Sequence, residues 1–328
     1  MNPILPFLNV NDALVLDGGL ATELEKRGHN LDDPLWSARL LLEDPTSIQQ
    51  LHLDYYWAGS DCGISASYQA TLAGLQARGL TVMAAINLLR RSVELVQAAR
   101  AQFWREYDRR PKTEIGPPPS VLRPLSAPRL FPLVAASIGP YGAALADGSE
   151  YAGNYRLDED ALFAWHRQRW HILAHSGADL LACETIPSYN EARALLRLLR
   201  ETPGAWAWFS FSCRDEAHIS DGTPIARCAQ LLADQPQVVA VGVNCTPPRY
   251  ISGLIREITA VSAKPVIIYP NSGERYDPHK HQWAGLSDAP EFGTLSREWR
   301  KAGAALIGGC CRTGPEHIRQ IRDRFPTS

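Results

Sequence analysis

The chain has no excess of basic residues. Its 33 lysines and arginines face 35 aspartates and glutamates, for a formal net charge of −2. Nothing in that balance draws a nucleic acid or an anionic membrane surface. It has no long hydrophobic run either, and no apolar stretch approaches the roughly 18 residues of a membrane span. The first residues, MNPILPFLNVND, lack the basic start and apolar centre of a secretory signal. A G-x-G-x-x-G phosphate turn is missing, and the nearest string, DGGLAT at Asp17 to Thr22, has the wrong spacing. There is no C-x-x-C pair. Seven cysteines is an odd count for a disulfide framework in a chain of 328 residues without an export signal. The expectation is reduced thiols in a cytoplasmic protein, some of them available to a metal.

What is present is a repeat. Short apolar runs recur along the chain, each closed by small or polar residues: ALVLDGG, CGISASY, LVAASIGP, ADLLACET, WAWFSFSC, VVAVGVNC, PVIIYPNSG and AALIGGCC. Their near-continuous apolar character predicts parallel strands covered on both faces. Helical patterns such as PTSIQQLHLDYYWAG, SYNEARALLRLLRE and PRYISGLIREITAVS lie between them. Alternating strands and helices in these numbers predict an α/β fold, a (β/α)₈ TIM-type barrel, as a single domain over residues 1–328 with its core at about 12–322. An open doubly wound sheet is the second choice. Residues 108–130, rich in proline and arginine, read as an irregular insertion before the third strand, and Asn271 to Asp288 as a long loop after the seventh.

A barrel of this kind builds its site at the C-terminal ends of the strands. The polar residues of the chain gather there: Asp17, Ser65 and Ser67, Cys183 and Glu184, Asn244 and Cys245, Asn271, then Cys310 and Cys311. The adjacent cysteines of GGCCRT (Gly308 to Thr313) are poorly placed to bond each other. Neighbouring Cα atoms lie about 3.8 Å apart, whereas disulfides favour roughly 4.4–6.8 Å. Three readings remain: small buried residues, a redox pair, or two thiolates facing one metal. With Cys245 two strands away in barrel order, a three-thiolate site with one open position is a candidate zinc centre. The residues alone leave that reading and simple core packing both open.

Several strings resemble the homocysteine S-methyltransferase family, zinc-dependent barrels. They are LDGGLATELEKRG (Leu16 to Gly28), GPYGAALADGSEYAGNY (Gly139 to Tyr155), GVNC (Gly242 to Cys245), YPNSGERYD (Tyr269 to Asp277) and GGCCRTGPEHI (Gly308 to Ile318). The resemblance implies that Cys245, Cys310 and Cys311 hold Zn²⁺. It implies that Asp17 and Glu184 meet the ammonium of L-homocysteine. Ser65 and Ser67, with backbone N–H groups near Gly18, are suited to its carboxylate. Trp36, Tyr68, Tyr151 and Asn271 are candidates for the pocket of a sulfonium methyl donor, since cations favour aromatic faces. Catalysis needs no residue beyond the zinc-bound substrate thiolate. Within the family the long strings resemble the S-methylmethionine group, with S-adenosylmethionine a possible second donor. Betaine is not expected, because betaine-type members carry further C-terminal sequence.

Other chemistry-bearing residues have plainer readings. Cys62, Cys183, Cys213 and Cys228 are expected to be packed thiols. His166, His171 and His175 are expected in packing or solvent roles, and His279 and His281 on a loop rim. The partners are small molecules, not nucleic acid or membrane. The alternative from a different class is a structural or regulatory zinc-thiol barrel without methyltransferase activity.

Overall fold

Each apolar run becomes a strand. The computed structural model describes residues 1–31, 39–109, 129–273 and 288–325, with the backbone of 275–277 and 282–284. The strands are β1 (Leu14–Val15), β2 (Cys62–Ile64), β3 (Leu133–Ile138), β4 (Leu180–Ile186), β5 (Ala207–Phe211), β6 (Val238–Asn244), β7 (Val266–Tyr269), β8 (Arg275–Asp277), β9 (Gln282–Ala284) and β10 (Ala304–Ile307). Eight of them form one parallel sheet in the order β1-β10-β7-β6-β5-β4-β3-β2. A parallel bridge between Leu16 and Cys62 joins the two ends. Asp17 N–H donates to Cys62 O at 3.2 Å and Asp61 N–H to Val15 O at 2.6 Å, completing the ring. The fold is a (β/α)₈ TIM-type barrel.

Burial on both faces explains why the runs lack a hydrophobic alternation. Side chains still alternate in direction. On β3 and β4, Val134, Ala136, Leu181 and Cys183 pack outward with the helices. Leu133, Ala135, Leu180 and Ala182 point into the barrel with Trp208, Ala240, Ile267 and Leu306. A short helix, Leu5–Val10, closes the lower end: Ile4 and Phe7, both buried, join that interior cluster. The helices start as their sequences suggest. Asp44, Asp158, Ser188 and Asp288 each cap a following helix by accepting a backbone N–H. The loop after β7 is more ordered than expected, since β8 and β9 pair as an antiparallel hairpin within it. Of the Pro/Arg-rich insertion, residues 110–128 lie outside the described residues. Among the described residues no helix is long and apolar enough to cross a membrane.

Along the inward face the chemistry changes with height. Leu133 and Ala135 give way to Ser137, Leu180 and Ala182 to Glu184, Trp208 to Ser210, and Ile267 to Tyr269. The barrel is therefore apolar at its base and polar at the C-terminal ends of its strands.

Candidate active site

Cys245 directly follows β6, and Cys310 and Cys311 follow β10; β7 lies between those two strands in the sheet. The end of β7 anchors both cysteine turns. Cys245 N–H donates to Tyr269 O at 3.2 Å, and Cys310 N–H donates to Pro270 O at 2.8 Å. Just beyond, Ser272 N–H donates to Cys311 O at 3.1 Å. The three sulfurs consequently lie within 4.8 Å of one another. Among the described residues this is the one cluster of three or more metal-ligating side chains.

The donor set suits a soft cation: three thiols, no competing carboxylate, and backbones fixed by hydrogen bonds. Burial, with the negative charges of Glu150 and Glu25, pushes the Cys311 thiol up to about 12. A cation must displace that proton to bind there. The structure corrects the expectation of seven reduced thiols at one pair. Cys245 and Cys310, with Cα atoms 5.5 Å apart, are joined as a disulfide, and Cys311 remains free. The β6 and β10 ends bring these backbones within disulfide reach, a proximity invisible at a separation of 65 residues. The disulfide and a three-thiolate metal site are alternative states of the same sulfurs, because oxidation consumes two of the thiolates.

Glycines let the β1 and β10 loops interlock beneath this cluster. A Cβ on Gly19 would lie 2.4 Å from Cys310 O, and one on Gly18 2.6 Å from Thr313 O. Gly19 N–H donates to Thr313 O at 2.8 Å, and Gly309 N–H to Asp17 O at 3.1 Å. Thr313 Oγ1 donates to Cys310 O at 2.6 Å. The motifs DGG and GGCCRT are thus two halves of one backbone junction.

A second junction links the cysteine turn to β4. Thr185 N–H donates to Asn244 Oδ1 at 2.7 Å, and Asn244 Nδ2 donates to Thr185 Oγ1 at 2.7 Å. Thr185 (φ 58°) and Cys245 (φ 47°) both occupy the left-handed region, uncommon for any residue but glycine and rarer still for a β-branched one such as Thr185. Asn244 immediately precedes one cysteine of the cluster, and Thr185 immediately follows Glu184. Sequence reading placed Asn244 at a strand end without giving it a task; the resemblance to GVNC was the available signal.

Glu184 is buried on the inner face of β4. Ser137 Oγ donates to its Oε1, and Tyr269 OH donates to its Oε2 at 3.1 Å. Tyr269 OH in turn accepts from Trp208 Nε1 at 3.1 Å and contacts Ser210 Oγ at 2.6 Å. Burial raises Glu184 to about 7 despite these donors. Asp17, also buried, accepts from Ile64 N–H at 2.8 Å. Its carboxyl lies well above the usual range, first through burial and then through the charge of Glu184. Two buried acids, one of them raised further by the charge of the other, suit a cation.

Ser65 and Ser67 are buried beside them. Ser67 Oγ donates to Ser137 O at 2.8 Å, while Ser65 Oγ accepts from Ser137 N–H at 3.0 Å. The two hydroxyls meet at 2.8 Å. Each hydroxyl has one proton, so Ser65 must donate to Ser67, and both protons are used within the barrel. A carboxylate would have to displace one of these bonds.

Of the residues expected to border a methyl donor, Tyr68 is half-buried and meets the Thr185 side chain. Tyr151 is 48% exposed, at the rim. Asn271 Oδ1 is buried without a hydrogen-bond partner. Trp36, His279 and His281 lie outside the described residues. Cys62 is buried in the barrel interior, while Cys183, Cys213 and Cys228 are buried in the helical layer. His166 is buried: Arg169 Nη2 donates to its Nδ1 at 3.2 Å, which leaves Nε2 to donate to Glu191 Oε1 at 2.8 Å. Arg169 also donates to Tyr68 O at 3.3 Å and to Gly139 O. This buried group braces the loops after β2 and β3. His171 and His175 sit one turn apart, but among the described residues no third ligand joins them, and His175 Nδ1 lies 2.8 Å from His171 O.

Fold and site together define a barrel enzyme with a three-thiol centre beside a buried acidic pocket. The family model described as homocysteine S-methyltransferase matches residues 14–325, and the chain belongs to that family, enzymes that methylate homocysteine. It is 50% identical over 321 residues to the homocysteine S-methyltransferase YbgG of Bacillus subtilis (strain 168), covering 98% of this chain and 97% of that protein. The metallated form of the homocysteine methyltransferase MmuM from Escherichia coli superposes with a TM-score of 0.83 at 44% identity, covering 98% and 100% of the two chains. The oxidized form of that enzyme superposes with a TM-score of 0.85, also at 44% identity, covering 99% and 100%.

Proposed function

We propose that this enzyme moves a methyl group from a sulfonium donor to the thiol of L-homocysteine at a zinc ion held by Cys245, Cys310 and Cys311, giving methionine in the cytoplasm. The observation that carries this is the convergence of three sulfurs within 4.8 Å at the barrel mouth that also holds Glu184 and Asp17. Cys245, Cys310 and Cys311 would hold the ion with room left for a substrate sulfur, and zinc, when bound, would supply the charge that makes a coordinated thiol lose its proton.

The chain's own residues do the rest. Asp17 and Glu184 hold the homocysteine ammonium. Ser137 and Tyr269 fix the Glu184 carboxylate, so the acceptor sulfur is placed rather than found by diffusion. A lone pair of the acceptor sulfur forms the new S–CH₃ bond. The donor's S–CH₃ bond breaks with its electron pair staying on the donor sulfur. A sulfonium and a thiolate become two neutral thioethers. No proton has to reach the leaving sulfur, so no general acid is required.

S-methylmethionine is the preferred donor in this reading. Its support is the resemblance of Gly139 to Tyr155 and Tyr269 to Asp277 to the group that uses it. The test supplies homocysteine with S-methylmethionine, S-adenosylmethionine or betaine in turn and measures methionine. The highest kcat/KM is expected with S-methylmethionine; a preference for betaine would overturn the donor assignment.

A further inference from the structure

The loop after β3 carries an acidic residue that the homocysteine pocket does not use. This loop folds over the C-terminal ends of β4 and β5. Ser212 Oγ, just past β5, donates to Glu150 O at 3.0 Å. Gly153, at φ 69°, comes so near Pro187 that a Cβ would lie 2.6 Å from its carbonyl oxygen. Glu150 sits between these contacts in a short 3₁₀ turn, Ser149–Tyr151. Its Oε2 is buried and has no hydrogen-bond partner. Burial holds the carboxyl above its ordinary range. The Glu150 charge acts on Tyr68, whose side chain meets Thr185 next to Glu184. A carboxylate with an unused buried oxygen therefore lies in the loop that covers the C-terminal ends of β4 and β5 at the barrel mouth.

A buried carboxylate oxygen requires a hydrogen-bond donor, and a cationic donor makes the stronger bond. A sulfonium has no N–H or O–H to offer, whereas an ammonium has three donors. The homocysteine ammonium is already provided for by Asp17 and Glu184. The sulfonium donors considered above carry an amino-acid tail with an ammonium of their own.

We propose that Glu150 binds the α-ammonium of the methyl donor and so selects sulfonium donors bearing an amino-acid tail. This rests on the sulfonium-donor reading. The ammonium is remote from the transferred methyl, so its contact with Glu150 is the same in the ground and transition states. Such a contact lowers KM and leaves kcat nearly unchanged.

The experiment compares wild type, Glu150→Gln and Glu150→Asp in the zinc-loaded enzyme, with two donors. One is S-methylmethionine; the other is the same sulfonium with its α-amino group replaced by hydrogen. Glu150→Gln should raise the KM for S-methylmethionine about tenfold or more, with kcat, homocysteine KM and zinc content retained. Glu150→Asp, which keeps the charge, should recover part of that loss. The analogue without an amino group should be used equally by wild type and Glu150→Gln. An unchanged donor KM in Glu150→Gln overturns the proposal. So does an equal loss with both donors, which would place Glu150 at the sulfonium or in the folding of the loop. If wild type uses S-adenosylmethionine instead, the comparison is run with that donor, which bears the same tail. A wild-type enzyme that methylates homocysteine only from a donor without an ammonium sinks the proposal while leaving the three-thiol site standing.

Discussion

Glu184 illustrates how a buried carboxyl costs stability. A carboxyl raised from its ordinary 4.5 to about 7 in the fold binds protons more tightly folded than unfolded. Its contribution is fully present below pH 4.5 and is lost as the pH rises through about 7. The gap corresponds to roughly 3 kcal/mol. Glu184→Gln, which never ionises, should therefore raise the melting temperature relative to wild type at pH 8 but not at pH 4, while weakening homocysteine binding. An unchanged difference between the two pH values would show that Glu184 is not buried as a charge. Asn244 offers a different test. Asn244→Ala removes both bonds to Thr185 and should lower kcat/KM for homocysteine by about 10–100-fold, as the loss of a supporting residue typically does. If the task of Asn244 is to hold Thr185 in the left-handed region, adding Thr185→Gly, which adopts that conformation freely, should restore much of the activity. No restoration would mean that Asn244 acts elsewhere. Cys245, Cys310, Cys311, Asp17 and Glu184 stood out as candidates in the sequence because few residue types do such chemistry and their strings are distinctive. Ser137, Tyr269 and Glu150 did not. A serine or tyrosine inside an apolar strand looks like core until the inward face is known, and Glu150 looks like any acid in a glycine-rich loop.

Among the elements, β7 and the two glycine pairs decide where the sulfurs sit. The carbonyls of Tyr269 and Pro270 hold Cys245 and Cys310 from opposite sides, and Gly18 and Gly19 allow the β1 loop to lie directly against the cysteine turn. Gly19→Ala would place a methyl 2.4 Å from Cys310 O, so the turn must shift. The expected result is a 10–100-fold loss of zinc affinity with the barrel still folded, read by competition with a chelator and by circular dichroism. Unaltered affinity would show that the cysteine turn tolerates the shift. The strands themselves were legible as apolar runs, and their helices as periodic patterns with acidic or serine caps. The hairpin of β8 and β9 was not, because its partners are short, polar and inside a glycine-containing loop. The helix Leu5–Val10 was missed for a related reason. Six residues are too few for a helical period, and only the open base of the barrel makes Ile4 and Phe7 core residues.

For the molecule as a whole, the parallel barrel gathers residues from both ends of the chain at one mouth, and the oxidation state of that mouth should govern metal uptake. Protein oxidised to the Cys245–Cys310 disulfide should take up no zinc and form no methionine, and a thiol reductant should restore both; zinc binding by the oxidised protein would remove one or more of these cysteines from the ligand set. The most direct measurement is zinc content and methionine formation, side by side, in reduced wild type and in Cys245→Ser, Cys310→Ser and Cys311→Ser. Wild type should carry about one zinc per chain, as a three-thiolate site with one open position implies. Each variant should remain folded, with most of its zinc and most of its activity gone. Full methionine formation by metal-free Cys310→Ser protein would contradict the three-thiolate zinc centre outright.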